Sequence, residues 1–169
     1  AILRGGCAVL QLRAKRLALN VTVPVSAGLL ADTTAYFDAL TAYRDGDPAT
    51  IVTLIADASF RAVANGRRLA SDLALVRSDW SGRITARRGA AAHRLADLLV
   101  RQPVVDSPLV QRELAVAATN ANGAIEHLRE KGILTKVAGN HRNRKWAAPD
   151  VLTALDDFAA RAGLRTFPV

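Results

Sequence analysis

The 169-residue sequence has one cysteine, Cys7, no methionine, and only 5% aromatic residues. A single cysteine excludes an internal disulfide. Its expected role is that of a small apolar side chain on a helix, not a nucleophile. No apolar run reaches the roughly 18 residues that a membrane-spanning helix needs. The first 16 residues set Arg13, Lys15 and Arg16 directly behind a short apolar patch, which makes a poor signal peptide. A cytoplasmic protein with no membrane partner is therefore expected. His93, His127 and His141 fall on different expected elements without ligand spacing, so no metal site is expected. Gly5-Gly6 is too short for a phosphate loop and no other glycine-rich loop occurs, so no cofactor site is expected either. The missing methionine, and a start inside an apolar-periodic stretch, fit initiator removal before Ala1 and a fragment of a longer protein equally well.

What the chain does have is apolar bulk and positive charge. Half of the residues are hydrophobic and mean hydropathy is +0.12, as in a globular chain. Alanine and leucine supply most of that bulk, and both favour helix. The net charge of +8 is uneven. Residues 1–80 hold nine basic and seven acidic residues, and residues 81–169 hold fourteen and eight. A positive second half points to an acidic partner, of which nucleic acid is the commonest.

Periodicity predicts a helix over residues 2–19, weakened by Gly5 and Gly6, and an extended connector at VTVPV, residues 21–25. Asp32 is placed to cap a short helix carrying Tyr36, Phe37, Leu40 and Tyr43, which Gly46 ends. Asp47-Pro48 reads as a second start. From there Ile51, Ile55, Ala58, Ala62, Leu69, Leu73, Val76, Trp80 and Ile84 recur mostly every three or four residues. The expectation is one long helix, about 60 Å if unbroken to Arg88, or two nearly continuous ones with a weak point at Gly66. A seam of this length on a short bundle favours a homodimer. Apolar density drops over residues 81–89, so the expected domains are 1–85 and 86–169.

The second domain reads as a winged helix-turn-helix. A helix over residues 90–101 closes at Gln102-Pro103, and Asp106-Ser107-Pro108 caps the next one, with Leu109, Val110 and Leu114 inward. Ala115-Val116-Ala117 makes a tight turn. A helix over residues 119–131 buries Ala121, Ala124, Ile125 and Leu128, and Gly132 supplies a left-handed stop. Short strands at 133–137 and 145–147 flank the tip AGNHRNR. A last helix from Pro149 carries Val151, Leu152, Leu155, Phe158 and Ala159, followed by a tail over residues 161–169. The fold class is thus mainly α, with a small β-hairpin wing.

Such a module reads DNA with the exposed side of its third helix in the major groove and the wing on the phosphates. The candidate DNA-binding residues are Thr119, Asn120, Asn122, Gly123 and His127 on that helix, and Lys136, Arg142, Asn143, Arg144 and Lys145 on the wing. Asparagine amides pair with base edges, and the cations neutralise phosphate. No acidic residue lies between Lys131 and Pro149. Against this, the helix has no arginine in its first two turns, and Glu126 and Glu130 would face or flank the DNA. Winged helices also serve as protein-interaction modules, which leaves a protein target or a separate catalytic domain as the other partner.

The segment VTVPVSAGLLADTTAYFDALTAYRDGDPATIV resembles the part of Fic-family proteins (filamentation induced by cAMP) that follows the active-site motif. RNRKWAAPDVLTALDDFAARAG resembles the C-terminal winged-helix extension of one bacterial branch of that family. The likeness covers about residues 20–162. It implies a protein that transfers AMP, or a related nucleotide moiety, to a hydroxyl of a target protein, through the motif HPFxxGNGRxxR. That motif would lie just upstream and is absent from these 169 residues, as is the family's inhibitory [Ser/Thr]xxxGlu[Gly/Asn] sequence. No catalytic residue is carried over. The expectation is a non-catalytic, regulatory C-terminal portion of a Fic-like protein. The alternatives are a stand-alone winged-helix transcriptional regulator and a piece of an active adenylyltransferase whose catalytic half lies upstream.

Overall fold

The computed structural model describes Leu29 and residues 32–87, 89–138 and 144–162. The expected first helix, the VTVPV connector, Cys7, the hairpin tip with His141, Arg142 and Asn143, and the tail from residue 163 lie outside the described residues. The described part is mainly helical with a small antiparallel sheet. It divides into two compact units, one running to Leu69 and resuming at Asp157, the other spanning Ala70–Asp156.

In the first unit, α1 (Thr33–Arg44) begins where expected. The Asp32 carboxylate accepts the Ala35 backbone N–H at 2.9 Å and satisfies one of the donors a helix start leaves open. Asp47 does the same for α2 (Ala49–Arg83), accepting from the Ala49 N–H at 2.9 Å and the Thr50 hydroxyl at 2.6 Å. These two bonds draw the Asp47 carboxyl below its ordinary pKa, the Thr50 hydroxyl most. Helix α2 runs through Gly66 without a break. One interior glycine costs about 1 kcal/mol, which a 35-residue helix absorbs. Asn65 joins α2 to the last helix: its Nδ2 donates to the Phe158 carbonyl at 3.1 Å and its Oδ1 accepts from Arg161 Nε at 2.7 Å.

The second unit holds the main core. It contains α3 (Ala91–Arg101), β1 (Val104–Asp106), α4 (Ser107–Leu114), α5 (Ala118–Glu130), β2 (Thr135–Ala138) and β3 (Lys145–Ala147). It also takes the end of α2 and the start of α6 (Pro149–Arg161). Trp80 and Ile84 from the end of α2 join Leu95, Leu98 and Leu99 of α3, Val110 and Leu114 of α4, and Ile125 and Leu128 of α5. Ile133, Leu134, Trp146 and Val151 complete that cluster. Helix α2 stops at Arg83, because Ile84 turns into this core, its N–H still bonded to the Trp80 carbonyl at 2.9 Å. The Trp80 indole N–H donates to Asp150 Oδ2 at 2.8 Å, and Arg83 Nη2 reaches the same oxygen at 3.3 Å.

The sheet order is β1-β3-β2, all antiparallel. Val105 faces Trp146 across β1 and β3, and Lys136 faces Trp146 from the other side. An irregularity between Lys136 and Ala138 shifts the register of β2. Strand β1 is an addition to the sequence reading. It fills the gap between Gln102-Pro103 and the capped start of α4, and the Ala148 N–H extends it by bonding the Pro103 carbonyl at 2.8 Å. The first expected strand is shorter than its sequence pattern, since Ile133 and Leu134 lie in the core before β2 begins. Leu155, expected among the apolar positions of α6, is exposed, and Ala154 is buried instead.

Candidate nucleic-acid interface

Helices α4 and α5 pack through Val110, Leu114, Ala121, Ile125 and Leu128 in the shared core, and a tight turn joins them. Asp106 caps α4 by accepting the Leu109 N–H at 2.9 Å. At the other end Ala115 takes the left-handed conformation, φ 50° and ψ 52°, and lets the Val116 N–H bond back to the Gln111 carbonyl at 3.1 Å. Arg94 of α3 donates its guanidinium to the Leu114 carbonyl, satisfying an acceptor the helix end leaves open. Helix α5 then starts at Ala118 with Ala117 in extended conformation and no side-chain cap. Its first N–H groups are thus left for solvent or an anion.

The buried stripe of α5 is Ala121, Ala124, Ile125 and Leu128, as the helical period requires. Thr119, Asn120, Asn122 and Gly123 are exposed. His127 is half-buried and its Nε2 is enclosed without a hydrogen-bond partner. The helix ends in a Schellman motif. The Ile133 N–H bonds the Leu128 carbonyl at 2.9 Å, and the Gly132 N–H the Arg129 carbonyl at 3.0 Å, with Gly132 at φ 68°.

Of the strand residues, Lys136, Arg144 and Lys145 are exposed, and Lys145 stands opposite Asp106 in the register of β1 and β3. Arg142 and Asn143 fall outside the described residues. Arg129 forms a bidentate pair with Glu126, Nε to Oε2 at 2.9 Å and Nη2 to Oε1 at 2.5 Å. The Arg129 hydrogen bonds hold the Glu126 carboxyl below its ordinary pKa against the cost of desolvation, and the charges of Arg129 and Arg144 add to the lowering. The same pairing raises the Arg129 guanidinium.

Sequence reasoning passed over three contributors. Ser107 donates its hydroxyl to Asn122 Oδ1 at 2.7 Å, and Gln111 Nε2 donates to the Ser107 hydroxyl at 3.2 Å and carbonyl at 3.3 Å. Arg129 quenches the Glu126 charge that counted against an anionic ligand. The i,i+3 spacing of Glu126 and Arg129 was the available signal for that pair. Nothing in the local pattern ties Ser107 to Asn122. Among the described residues no three His, Cys, Asp or Glu side chains are grouped to hold a metal ion, and no helix is long and apolar enough to cross a membrane. Comparison with protein-family models and with curated proteins finds no match for the chain.

Proposed function

We propose that the second unit is a winged helix-turn-helix module that binds duplex DNA with α5 and the β2–β3 hairpin, in a chain that is itself non-catalytic. The observation that carries this reading is an open polar side on α5 and exposed cations on the strands of the same compact unit. Thr119, Asn120, Asn122 and Gly123 are exposed on α5, and Lys136, Arg144 and Lys145 are exposed on or beside β2 and β3. Uncapped N–H groups at the start of α5 add donors for phosphate. Major-groove reading by such a helix needs polar side chains in its first turns, and cations beside it to hold the backbone.

The reading belongs with the Fic resemblance: a regulatory portion that positions a catalytic partner or reports on DNA. None of the family's catalytic motif lies in the 169 residues, so incubation with ATP and magnesium should leave no covalent AMP on a protein target. Exposed apolar side chains on the first unit, among them Phe37, Val52 and Phe60, favour self-association, and a homodimer would carry two reading faces.

The test is fluorescence anisotropy of labelled duplex DNA at 50 and 200 mM salt. Salt-dependent binding is expected. Replacing Arg144 and Lys145 by alanine should lower the slope of log affinity against log salt by about 1.8, at about 0.9 per lost phosphate contact. No binding at 50 mM salt would refute the proposal. It would favour the second reading, a protein-binding face, for which the Glu126–Arg129 pair is the specific support, because it leaves α5 with little net charge there.

A further inference from the structure

Three side chains on α4 and α5 form a polarised relay. The Ser107 carbonyl is an acceptor only, so the Gln111 group at 3.3 Å from it is Nε2, a donor. That same Nε2 lies 3.2 Å from the Ser107 hydroxyl oxygen and donates to it as well. The hydroxyl donates its own proton to Asn122 Oδ1 at 2.7 Å. The Asn122 amide stands with its oxygen toward Ser107. Its oxygen accepts from Ser107. Its Nδ2 has no partner among the described residues, and the side chain is exposed in the second turn of α5.

We infer that Asn122 meets its ligand as a hydrogen-bond donor, to an acceptor-only group of duplex DNA, and not as the bidentate partner of adenine. This rests on the DNA-binding reading above. A bidentate contact with adenine needs the amide oxygen for N6 and the amide nitrogen for N7 in one plane. Here the oxygen is held toward α4 by Ser107, and only the nitrogen is offered outward. Acceptors of the required kind are a phosphate oxygen and the O6/N7 edge of guanine. Ser107 and Gln111 are positioning residues that act through Asn122.

The experiment is selection of bound sequences from a randomised duplex pool, with anisotropy on the selected duplexes, for the wild-type chain and for Asn122→Ala, Asn122→Asp and Ser107→Ala. Asn122→Ala should weaken binding about fivefold, the loss of one hydrogen bond. Asn122→Asp keeps an acceptor for Ser107 but turns the outward donor into a charge, and should weaken binding more than Asn122→Ala does. A guanine that vanishes from the selected sequences in Asn122→Ala identifies the base edge as the acceptor. An unchanged sequence with weaker binding identifies a phosphate. Ser107→Ala frees the amide to turn and should leave affinity close to wild type while admitting adenine at that position. An adenine selected by the wild type and lost in Asn122→Ala would overturn the inference and leave DNA binding intact, and so would wild-type affinity in Asn122→Asp. Failure of the wild type to bind any duplex at 50 mM salt would overturn both. Circular dichroism of the three variants, all at positions outside the core, checks that they fold.

Discussion

Trp80→Phe tests how the end of the long helix is locked into the second unit. Trp80 is 0% exposed, and its indole N–H donates to Asp150 at 2.8 Å. Phenylalanine keeps an aromatic ring in the core and removes the donor. A hydrogen bond to a charged partner contributes about 1.5–3 kcal/mol. The Asp150 side chain is 41% exposed and regains water when the indole leaves, so the lower end, about 1.5 kcal/mol, applies. The smaller ring also leaves a gap in a closed site, at a further cost of about 1 kcal/mol. The expected loss is about 2.5 kcal/mol, which lowers Tm by about 10–20 °C for a unit of this size. Urea and thermal unfolding followed by circular dichroism give the number, and Trp146, which is also buried, remains as a fluorescent reporter. A double-mutant cycle with Asp150→Ala isolates the bond, with an expected coupling of about 1.5 kcal/mol. A coupling below about 0.5 kcal/mol would show that the indole–carboxylate bond does not hold this junction.

Two glycines should respond to alanine with opposite sign. Gly132 sits at φ 68°, and an added Cβ meets nothing within 4 Å, so Gly132→Ala costs only the left-handed strain, about 1–2 kcal/mol. Gly123 is helical, exposed and equally unobstructed, so Gly123→Ala should stabilise by about 0.8 kcal/mol. Denaturant midpoints of the two variants check both signs. The Glu126 carboxyl, held low by Arg129, should titrate below the ordinary range in a carbon-13 NMR experiment and return toward 4.5 in Arg129→Ala. Since the folded pKa is the depressed one, the stabilising pair is complete above the unfolded pKa and is lost as pH falls through the folded value. An unshifted Glu126 in the wild type would remove the pair from the account.

The limits of the local pattern show in particular residues. The stripe Ala121, Ala124, Ile125 and Leu128 and the stop at Gly132 were legible, because a 3.6-residue period and a left-handed glycine are local properties of the chain. Asp32, Asp47 and Asp106 were legible as caps for the same reason, since each bonds an N–H two or three residues on. Strand β1 was not. Three residues carry no period, and its partner β3 lies about forty residues away. Neither was the enclosed Nε2 of His127, which depends on what packs beside α5.

By itself the sequence determined the capped starts of α1, α2 and α4, the buried stripe and stop of α5, and that the positive charge gathers in the second half. The tertiary structure alone decided how polar groups distant in the chain meet. It set Trp80 on Asp150, Arg94 on the end of α4, and Ser107 on Asn122. Helical period and capping are written into neighbouring residues. A hydrogen bond across seventy residues depends on the packing of the whole core, and that packing settles which donors of α5 face outward.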